Sequence, residues 1–279
     1  MNEPQIVTLG RGDLAVWTFG DGPNVLVLHG FPDHAIGMRS LAEALAASGF
    51  RAIVPALPGY APSTVPADGD LSMGAVAHDM VALLDHLGIH RAHVVGHDWG
   101  GIVGYRLGAE HPERLASLTA LAVCHDAGFA VRRSVLREQQ TGAYAWVLAY
   151  ASAREEIAAD PAFITAAAND WSPGLHRADW PDVLAVLTRP EVAAAVSSYY
   201  RTDIAGSGGG CGIVQTPTLV IHGADDGCIG PALFAGLDAH FAQPLTTIEL
   251  PGIGHWPHLE ALEATVTGIV GHLRAHPCS

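Results

Sequence analysis

The segment from Val94 to Gly101 places a carboxylate, Asp98, between Gly96 and Gly100, directly after a β-branched run. Small residues two positions before and two after an exposed side chain are typical of a nucleophile elbow, the sharp turn between a strand and a helix. A carboxylate there cannot donate a proton, but it can attack an electrophilic sp³ carbon and form an alkyl ester. We therefore expect Asp98 to be a nucleophile toward an epoxide or a haloalkane. The alternative, an aspartate that caps the following helix, would not need both glycines.

An ester on Asp98 must be hydrolysed, so a base has to activate water close to it. Histidine is the side chain suited to this task near neutral pH, and the chain contains 16 histidines. His255 lies in a glycine-rich loop after an apolar run at 247–250, near the end of the chain. The order nucleophile, acid, histidine along the chain matches that of α/β hydrolases and favours His255 as the base.

The acid that orients this histidine should follow the preceding strand, at 218–221. Two adjacent aspartates stand there, and we predict that Asp226 accepts a hydrogen bond from the imidazole and fixes its tautomer. Asp225 is the alternative acid, with Asp226 then forming the turn. Asp126, just past another predicted strand, is a weaker third candidate.

A second glycine-containing turn follows the predicted strand at 25–28. Gly30 permits an unusual backbone path and Pro32 fixes the next step, with a cis bond as one option. The backbone N–H groups of Phe31 and of Trp99 could together bind the oxyanion that forms when water attacks the Asp98 carbonyl. We therefore predict an oxyanion hole made by these two residues.

The elements that must position these residues alternate between strands and helices. Near-continuous apolar runs predict strands buried on both faces of a parallel sheet, and amphipathic stretches between them predict helices. The pattern indicates an α/β fold with a doubly wound sheet. The predicted strands are 25–28, 52–54, 92–95 and 118–123, and the predicted helices are 41–47, 75–87 and 102–110.

The pattern changes to helix alone from about residue 127 to 205, a stretch rich in Ala, Trp and Tyr and punctuated by prolines. A glycine-rich return at 206–212 leads back into the sheet. We therefore predict three parts: a first core part at 1–126, a helical cap at 127–205 and a second core part at 206–279. An insertion at this point is placed to cover the carboxyl edge of the sheet.

Composition and charge limit the expected partners. The net charge is −14 and there is no basic cluster, so neither nucleic acid nor an anionic membrane is expected. The N-terminus lacks a signal-peptide pattern and no apolar run approaches the ~18 residues of a spanning helix, which favours a cytoplasmic protein. The four cysteines are widely spaced, so neither a disulfide framework nor a zinc site is expected.

Four short motifs spread along the chain carry a family resemblance: His29-Gly30-Phe31-Pro32, Gly96-His97-Asp98-Trp99-Gly100-Gly101, Gly223-Ala224-Asp225-Asp226 and Gly254-His255-Trp256. With them the chain resembles the epoxide hydrolase and haloalkane dehalogenase group of the α/β-hydrolase fold. The resemblance implies a mostly parallel sheet with a helical cap, and hydrolysis of a small hydrophobic epoxide to a vicinal diol through an ester on Asp98. It implies no metal or organic cofactor.

The resemblance also implies proton donors in the cap. Epoxide hydrolases use two cap tyrosines to protonate the opening epoxide oxygen, and the matching positions here are Tyr144 and Tyr200. Tyr150 and Tyr199 are the fallback residues. Aromatic residues in an Ala-rich helix also pack against a core without any catalytic role.

Dehalogenation by the same aspartate is the main alternative, and a catalytically silent binding protein of this fold is the third. The arginines that fluoroacetate dehalogenases place just after the nucleophile are absent, since Trp99 and Ile102 stand there. Haloalkane dehalogenases often pair the tryptophan after the nucleophile with an asparagine, where this chain has Phe31, or with a cap tryptophan. The cap tryptophan of the second arrangement could be Trp146, Trp171 or Trp180. The sequence leaves the substrate, its stereochemistry and the oligomeric state open, a homodimer included.

Overall fold

The computed structural model describes residues 3–128, 148, 154–204 and 210–278. Eight strands in these stretches form one sheet: β1 (Gln5–Thr8), β2 (Asp13–Phe19), β3 (Asn24–Leu28), β4 (Arg51–Pro55), β5 (Ala92–His97), β6 (Leu115–Leu121), β7 (Thr218–Gly223) and β8 (Thr246–Leu250). Their order across the sheet is β1-β2-β4-β3-β5-β6-β7-β8. Strand β2 pairs antiparallel with β1 and β4, and the remaining neighbours run parallel.

Helices connect the parallel strands, which confirms the predicted doubly wound, mostly parallel sheet. In the described stretches the helices are α1 (Arg39–Ala47), α2 (Met73–His86), α3 (Trp99–Glu110), α4 (Arg154–Ala158), α5 (Pro161–Trp171), α6 (Trp180–Leu187), α7 (Pro190–Ile204), α8 (Pro257–Glu260) and α9 (Leu262–Ala275). Short 3₁₀ turns lie at Pro112–Arg114, Pro231–Phe234 and Asp238–His240. None of the helices in the described stretches is long and apolar enough to cross a bilayer.

The core lies around the central strands. Every residue of β5, β6 and β7 is buried, as is expected for parallel strands covered by helices on both faces. Strand β8 is different, because it is the edge of the sheet and none of its residues is fully buried. The carboxyl ends of the parallel strands are therefore held on a rigid support, and the loops that follow them carry the candidate site.

The structure differs from the sequence predictions in two places. It adds the antiparallel strands β1 and β2, which were not predicted, although β2 contains the buried apolar run 14–17. The strand expected at 118–123 instead spans Leu115–Leu121. It ends there because Ala122 adopts a positive φ of 53°, which an extended ladder does not accommodate.

The part described between β6 and β7, from residue 154 to 204, is helical. Helix α5 begins at Pro161, after Asp160, whose side chain accepts the Ala162 N–H at 2.8 Å as an N-cap. The helices bury an apolar face that includes Ile164, Val183, Leu187 and Val196. The three-part division of the chain, with a cap at 127–205, stays a prediction.

Candidate active site

Asp98 lies at the turn between β5 and α3, with φ 50° and ψ −119°. This left-handed conformation is strained for a residue with a side chain, and such strain is common at functional sites. Its side chain makes no capping hydrogen bond to α3, so the capping alternative receives no support. The flanking glycines have a steric cause: a Cβ at Gly96 would overlap the Gly100 carbonyl, and one at Gly100 would overlap the Leu28 carbonyl.

The loop after β3 approaches the Asp98 side chain closely. The backbone N–H of Phe31 donates to Asp98 Oδ1 at 2.8 Å. Glycine is required at position 30 because a Cβ there would collide with the same carboxylate. The Phe31–Pro32 peptide bond is cis. The N–H groups of Phe31 and Trp99, the two predicted oxyanion donors, thus both interact with the Asp98 carboxylate.

His255 lies between two carboxylates and is fully buried. Its Nδ1 is 2.9 Å from Asp226 Oδ2, and its Nε2 is 3.8 Å from Asp98 Oδ2. Because a carboxylate only accepts hydrogen bonds, Nδ1 carries the proton and Nε2 of the neutral ring is the basic nitrogen. Nε2 has no hydrogen-bond partner among the described residues. The imidazole is therefore oriented by one aspartate and presents its basic nitrogen to the other.

Asp226 is held by the main chain of its own loop. Its Oδ1 accepts the N–H groups of Cys228 at 2.7 Å and Ile229 at 2.9 Å, which leaves Oδ2 for the imidazole. Asp225 is exposed, and Asp126 accepts the N–H of Cys211 at 2.7 Å. The structure therefore brings Asp226, and neither of the two alternative acids, to His255.

The electrostatics follow from burial and from the two carboxylates. Burial raises the pKa of Asp98, although His255 and the N–H groups of Phe31 and Trp99 oppose this. Burial lowers the pKa of His255, but the charge and hydrogen bond of Asp226 and the charge of Asp98 outweigh it, so the pKa is raised. His255 is thus a stronger base than a free histidine, as a water-activating group should be.

Tyr200, on α7, is the predicted proton donor that the structure describes. It is buried, and its ring packs edge-on against Phe31 at 5.8 Å and Trp99 at 4.8 Å between centroids. The ring of the neighbouring Tyr199 also contacts Trp99, at 6.0 Å between centroids, but its hydroxyl donates to the Pro58 carbonyl at 2.9 Å. Tyr144, Tyr150 and Trp146 lie outside the described residues.

The two remaining tryptophans have separate surroundings. The ring of Trp171 packs edge-on against the His255 ring at 5.1 Å, and Arg177 lies 5.3 Å from the Trp180 ring centroid. Only the first of these tryptophans therefore contacts the triad candidates.

The sequence predicted no role for several buried polar residues near His255. Asp33 pairs with Arg177 at 2.9 Å, and the Trp256 indole N–H donates to its other oxygen at 3.2 Å. The Nε2 of His97 lies 2.8 Å from the His255 carbonyl oxygen, to which it donates. Position alone could have indicated two of them, since Asp33 directly follows the 29–32 motif and His97 precedes the nucleophile.

Two buried groups have the composition of metal ligands: Asp33 with His97 and His258, and Asp226 with Cys228 and His255. In both, protein donors already hold the carboxylate. Arg177 pairs with Asp33, while two N–H groups and the imidazole surround Asp226. A cation would have to displace these donors or lie beside a guanidinium, so we assign neither group to a metal.

Comparisons with known proteins agree with this architecture. Residues 23–141 match the family profile described as the alpha/beta hydrolase fold. An epoxide hydrolase of Caballeronia sordidicola is 39% identical over 124 residues, 44% of this chain and 37% of that protein. A fluoroacetate dehalogenase of a Burkholderia species is 34% identical over 125 residues, 43% of this chain and 41% of that protein. The chain thus spans less than half the length of these curated relatives.

Solved structures match over nearly the whole chain. A Klebsiella pneumoniae protein, provisionally named an epoxide hydrolase, has a TM-score of 0.83 and 26% identity, with 96% of each chain covered. An epoxide hydrolase from Vigna radiata has a TM-score of 0.79 and 22% identity over 98% of each chain, a likeness of fold. The predicted α/β-hydrolase fold and the resemblance to epoxide hydrolases are confirmed.

Proposed function

We propose that this chain, an α/β-hydrolase-fold protein similar in sequence to epoxide hydrolases, hydrolyses an epoxide to a vicinal diol through an alkyl ester on Asp98. The observation that carries the proposal is the carboxylate at the elbow, held by the Phe31 N–H on one oxygen and facing His255 Nε2 at 3.8 Å with the other. A serine at this position would need a base to remove its hydroxyl proton. An ionised carboxylate has no proton to lose and can attack carbon directly.

In the first step, Asp98 Oδ2 attacks one epoxide carbon and the carbon–oxygen bond of the ring breaks. Oδ1 becomes the ester carbonyl and keeps its hydrogen bond from Phe31. The epoxide oxygen takes a proton from a tyrosine hydroxyl, for which Tyr200 is our candidate in the described residues and Tyr144 the second. The rings of Phe31, Trp99 and Tyr200 around this point favour a small hydrophobic substrate.

In the second step, His255 Nε2 takes a proton from water, whose oxygen attacks the Asp98 ester carbonyl. Asp226 stabilises the imidazolium that forms. Negative charge develops on Oδ1, where the N–H groups of Phe31 and Trp99 stabilise it. The intermediate then expels the diol oxygen, which is protonated by His255, and the proton released by the new carboxyl group returns to the tyrosinate. The water oxygen is left in the Asp98 carboxylate.

Dehalogenation is the second candidate, and one observation favours it. The indole Nε1 of Trp99 is buried and has no hydrogen-bond partner among the described residues. An N–H donor next to the nucleophile could stabilise a departing halide. The buried Tyr200 against the same ring favours the epoxide, because an opening epoxide needs a proton and a halide does not.

The test is a turnover assay followed by isotope tracing. Purified protein is supplied with styrene oxide, phenyl glycidyl ether and bromobutane, and we expect diol from the epoxides and little bromide release. A single turnover in ¹⁸O-labelled water should then place the label in the peptide containing Asp98 before it reaches the diol. Label that enters the diol and never the protein would exclude the ester mechanism. Efficient bromide release without epoxide turnover would establish the dehalogenase in its place.

A further inference from the structure

The loop that carries His255 is held by a carboxylate outside the triad. Glu260, the last residue of α8, accepts the Gly254 N–H on Oε2 at 2.9 Å and the Trp256 N–H on Oε1 at 3.0 Å. The N–H of His255 itself donates to the Ser172 hydroxyl at 2.6 Å, and that hydroxyl donates to Glu260 Oε1 at 2.8 Å. The N–H groups of three consecutive residues therefore depend on one carboxylate, two directly and one through Ser172.

Ser172 reaches this loop from the helical segment, because it directly follows α5. The carbonyl of Trp171 accepts N–H groups from both sides of the acid–base pair, that of Gly227 at 3.2 Å and that of His255 at 3.2 Å. The end of α5 is thus in contact with the loop after β7 and with the loop after β8. It fixes the distance between the strand ends that carry Asp226 and His255.

Glycines in both loops make room for this contact. A Cβ at Gly254 would overlap the Ser172 hydroxyl and lie 2.7 Å from the Trp171 carbonyl oxygen. A Cβ at Gly227 would overlap the Asp170 carbonyl and lie 3.1 Å from the Trp171 Cα. Side chains at either position would push the end of α5 away. The close approach of residues 170–172 is therefore built into the sequence of both catalytic loops.

We propose that Ser172 and Glu260 are positioning residues for the general base, holding the His255 loop so that Nε2 faces the ester on Asp98. The inference rests on the proposed function, and it assigns part of the catalytic geometry to the helical segment. Neither residue contacts the reacting atoms. Both act through the main chain of residues 254–256, where a small displacement would move the imidazole relative to the ester carbonyl.

Charge provides a second route by which Glu260 acts on His255. The groups that face the imidazole are Asp98 from the elbow, Asp226 from the loop after β7, Glu260 from α8 and the rings of His97 and His258. Burial lowers the pKa of His97 and that of His258, so neither adds positive charge near neutral pH. Glu260 raises the pKa of His255 together with the two aspartates. Replacing Glu260 by a neutral side chain should therefore lower the pKa of His255.

The experiment measures the two half-reactions separately by single-turnover mass analysis of the Asp98 ester. Ser172→Ala should leave ester formation near the parental rate and slow ester hydrolysis ~10- to 100-fold, the range expected for a misplaced catalytic group. Ser172→Thr keeps the hydroxyl and should restore most of the rate. Glu260→Gln should slow hydrolysis and also shift its pH profile toward lower pH.

Matched controls separate positioning from a general loss of structure. Ser63 is another buried serine whose hydroxyl accepts a backbone N–H and donates to a carbonyl, and Glu263 is an exposed glutamate three residues from Glu260. Ser63→Ala and Glu263→Gln should leave the ratio of the two half-reactions unchanged. If Ser172→Ala slows both half-reactions equally, or if Ser172→Thr gives no recovery, the positioning role is wrong.

A readout without substrate keeps this inference separate from the proposed function. The His255 Nδ1–H that donates to Asp226 should give a downfield ¹H NMR resonance, assigned by its absence in His255→Gln. In Glu260→Gln this proton should titrate at lower pH than in the parent, and in Ser172→Ala it should shift or broaden. If the parent opens no epoxide but these changes occur, only the proposed function fails. If the resonance is the same in all variants, the positioning role fails whatever the activity.

Discussion

The loops at the carboxyl ends of the strands and the helical segment 154–204 hold their functional groups by different means. In the loops, backbone N–H groups bind the carboxylates: Phe31 donates to Asp98, and Cys228 and Ile229 donate to Asp226. In the helical segment, side-chain packing places Tyr200. Groups held by their own turn depend on local sequence, whereas groups on the helices depend on how those helices dock on the core.

Polar contacts join the helical segment to the loops after β3, β4, β7 and β8. Arg177 pairs with Asp33 after β3, Tyr199 donates to Pro58 after β4, Trp171 accepts from Gly227 after β7, and Ser172 bonds to His255 after β8. The comparison therefore predicts a division of labour. Changes to the functional groups in the strand loops should abolish the reaction. Changes in the helical segment should slow one of its two steps, or lower the stability of the contact between the helical segment and the loops.

The largest effect is expected from Asp98→Asn. The amide keeps the shape of the side chain and an acceptor for the Phe31 N–H but is a poor nucleophile, so epoxide turnover should fall at least ~10⁴-fold. No substrate-mass adduct should form on the protein. Asp225→Asn, on the exposed neighbour of the triad acid, is the control and should keep parental activity. Substantial turnover by Asp98→Asn would remove the ester from the mechanism.

His255→Gln should stop the second step while the first continues. Without the general base, hydrolysis should slow by about 10²- to 10⁴-fold, and the ester on Asp98 should accumulate to nearly one equivalent. Intact-protein mass spectrometry after mixing with styrene oxide measures the adduct. Steady turnover by this variant, without an adduct, would show that another group activates the water.

The two adjacent tyrosines of α7 give a sharper comparison within the helical segment. Tyr200→Phe removes the proposed proton donor and should reduce ester formation by about 10²- to 10⁴-fold, the usual contribution of a general acid. Tyr199→Phe loses only the hydrogen bond to Pro58 and should cost about 1 kcal/mol of stability with most activity kept. Equal effects on ester formation would contradict the assignment of Tyr200. Tyr144→Phe tests the second predicted donor in the same assay.

The stability of the contact between the helical segment and the strand loops should depend on the ion pair between Arg177 and Asp33. Asp33 is fully buried, and although burial raises its pKa, the charge and hydrogen bond of Arg177 hold the pKa below its ordinary value. Arg177→Met leaves this carboxylate unpaired and should lower the free energy of unfolding by about 3–5 kcal/mol. Adding Asp33→Asn should recover much of that loss. Urea unfolding measures both, and a loss unchanged in the double variant would contradict the ion-pair explanation.

The sequence predicted the groups whose backbone constrains the residue type. Asp98 stands in a turn that excludes Cβ atoms at Gly96 and Gly100, so the steric requirement appears directly as a pattern. The same reasoning singled out the Phe31 turn, whereas the order of acid and base rested on the chain order typical of α/β hydrolases. The predictions of the elbow and of the Phe31 turn share one property: each pattern spans only a few consecutive residues at the end of one strand.

Long-range contacts could not be predicted in this way. The bond between Ser172 and His255 joins positions 83 apart in sequence, and that between Arg177 and Asp33 joins positions 144 apart. Tyr199 and Tyr200 differ by about 100° around their helix. The docking of α7 decides that the Tyr200 ring packs edge-on against Trp99 at 4.8 Å between centroids, while the Tyr199 ring lies farther away at 6.0 Å. The sequence favoured Asp226 over Asp225, but the 2.9 Å contact between Asp226 and His255 is seen only in the structure.

The smallest expected effect, and the one that distinguishes the two steps, is their pH dependence. Ester formation needs Asp98 ionised, and burial raises the pKa of this carboxyl above its ordinary 3.8, so the first step is lost as pH falls through that raised pKa. Ester hydrolysis needs neutral His255. Burial lowers the pKa of this imidazole, but Asp226, Asp98 and Glu260 raise it above its ordinary 6.5 in the free protein, and the charges of Asp226 and Glu260 remain when Asp98 is esterified. Acidification therefore protonates the base that hydrolysis needs, and the rate should fall up to tenfold for each pH unit below that pKa.

We expect hydrolysis to be lost at a higher pH than ester formation, so that the Asp98 ester accumulates in mildly acidic solution. Rapid-quench mass analysis from about pH 5 to about pH 9, which includes the range over which histidine changes its charge, follows both rates in one sample. His255→Gln has no titrating base, so its slow residual hydrolysis should lack this acid limb and serves as the control. If the ester failed to accumulate at low pH because its formation declined first, the carboxylate at the elbow and not the histidine would limit the reaction, and the raised pKa of His255 would not govern the second step.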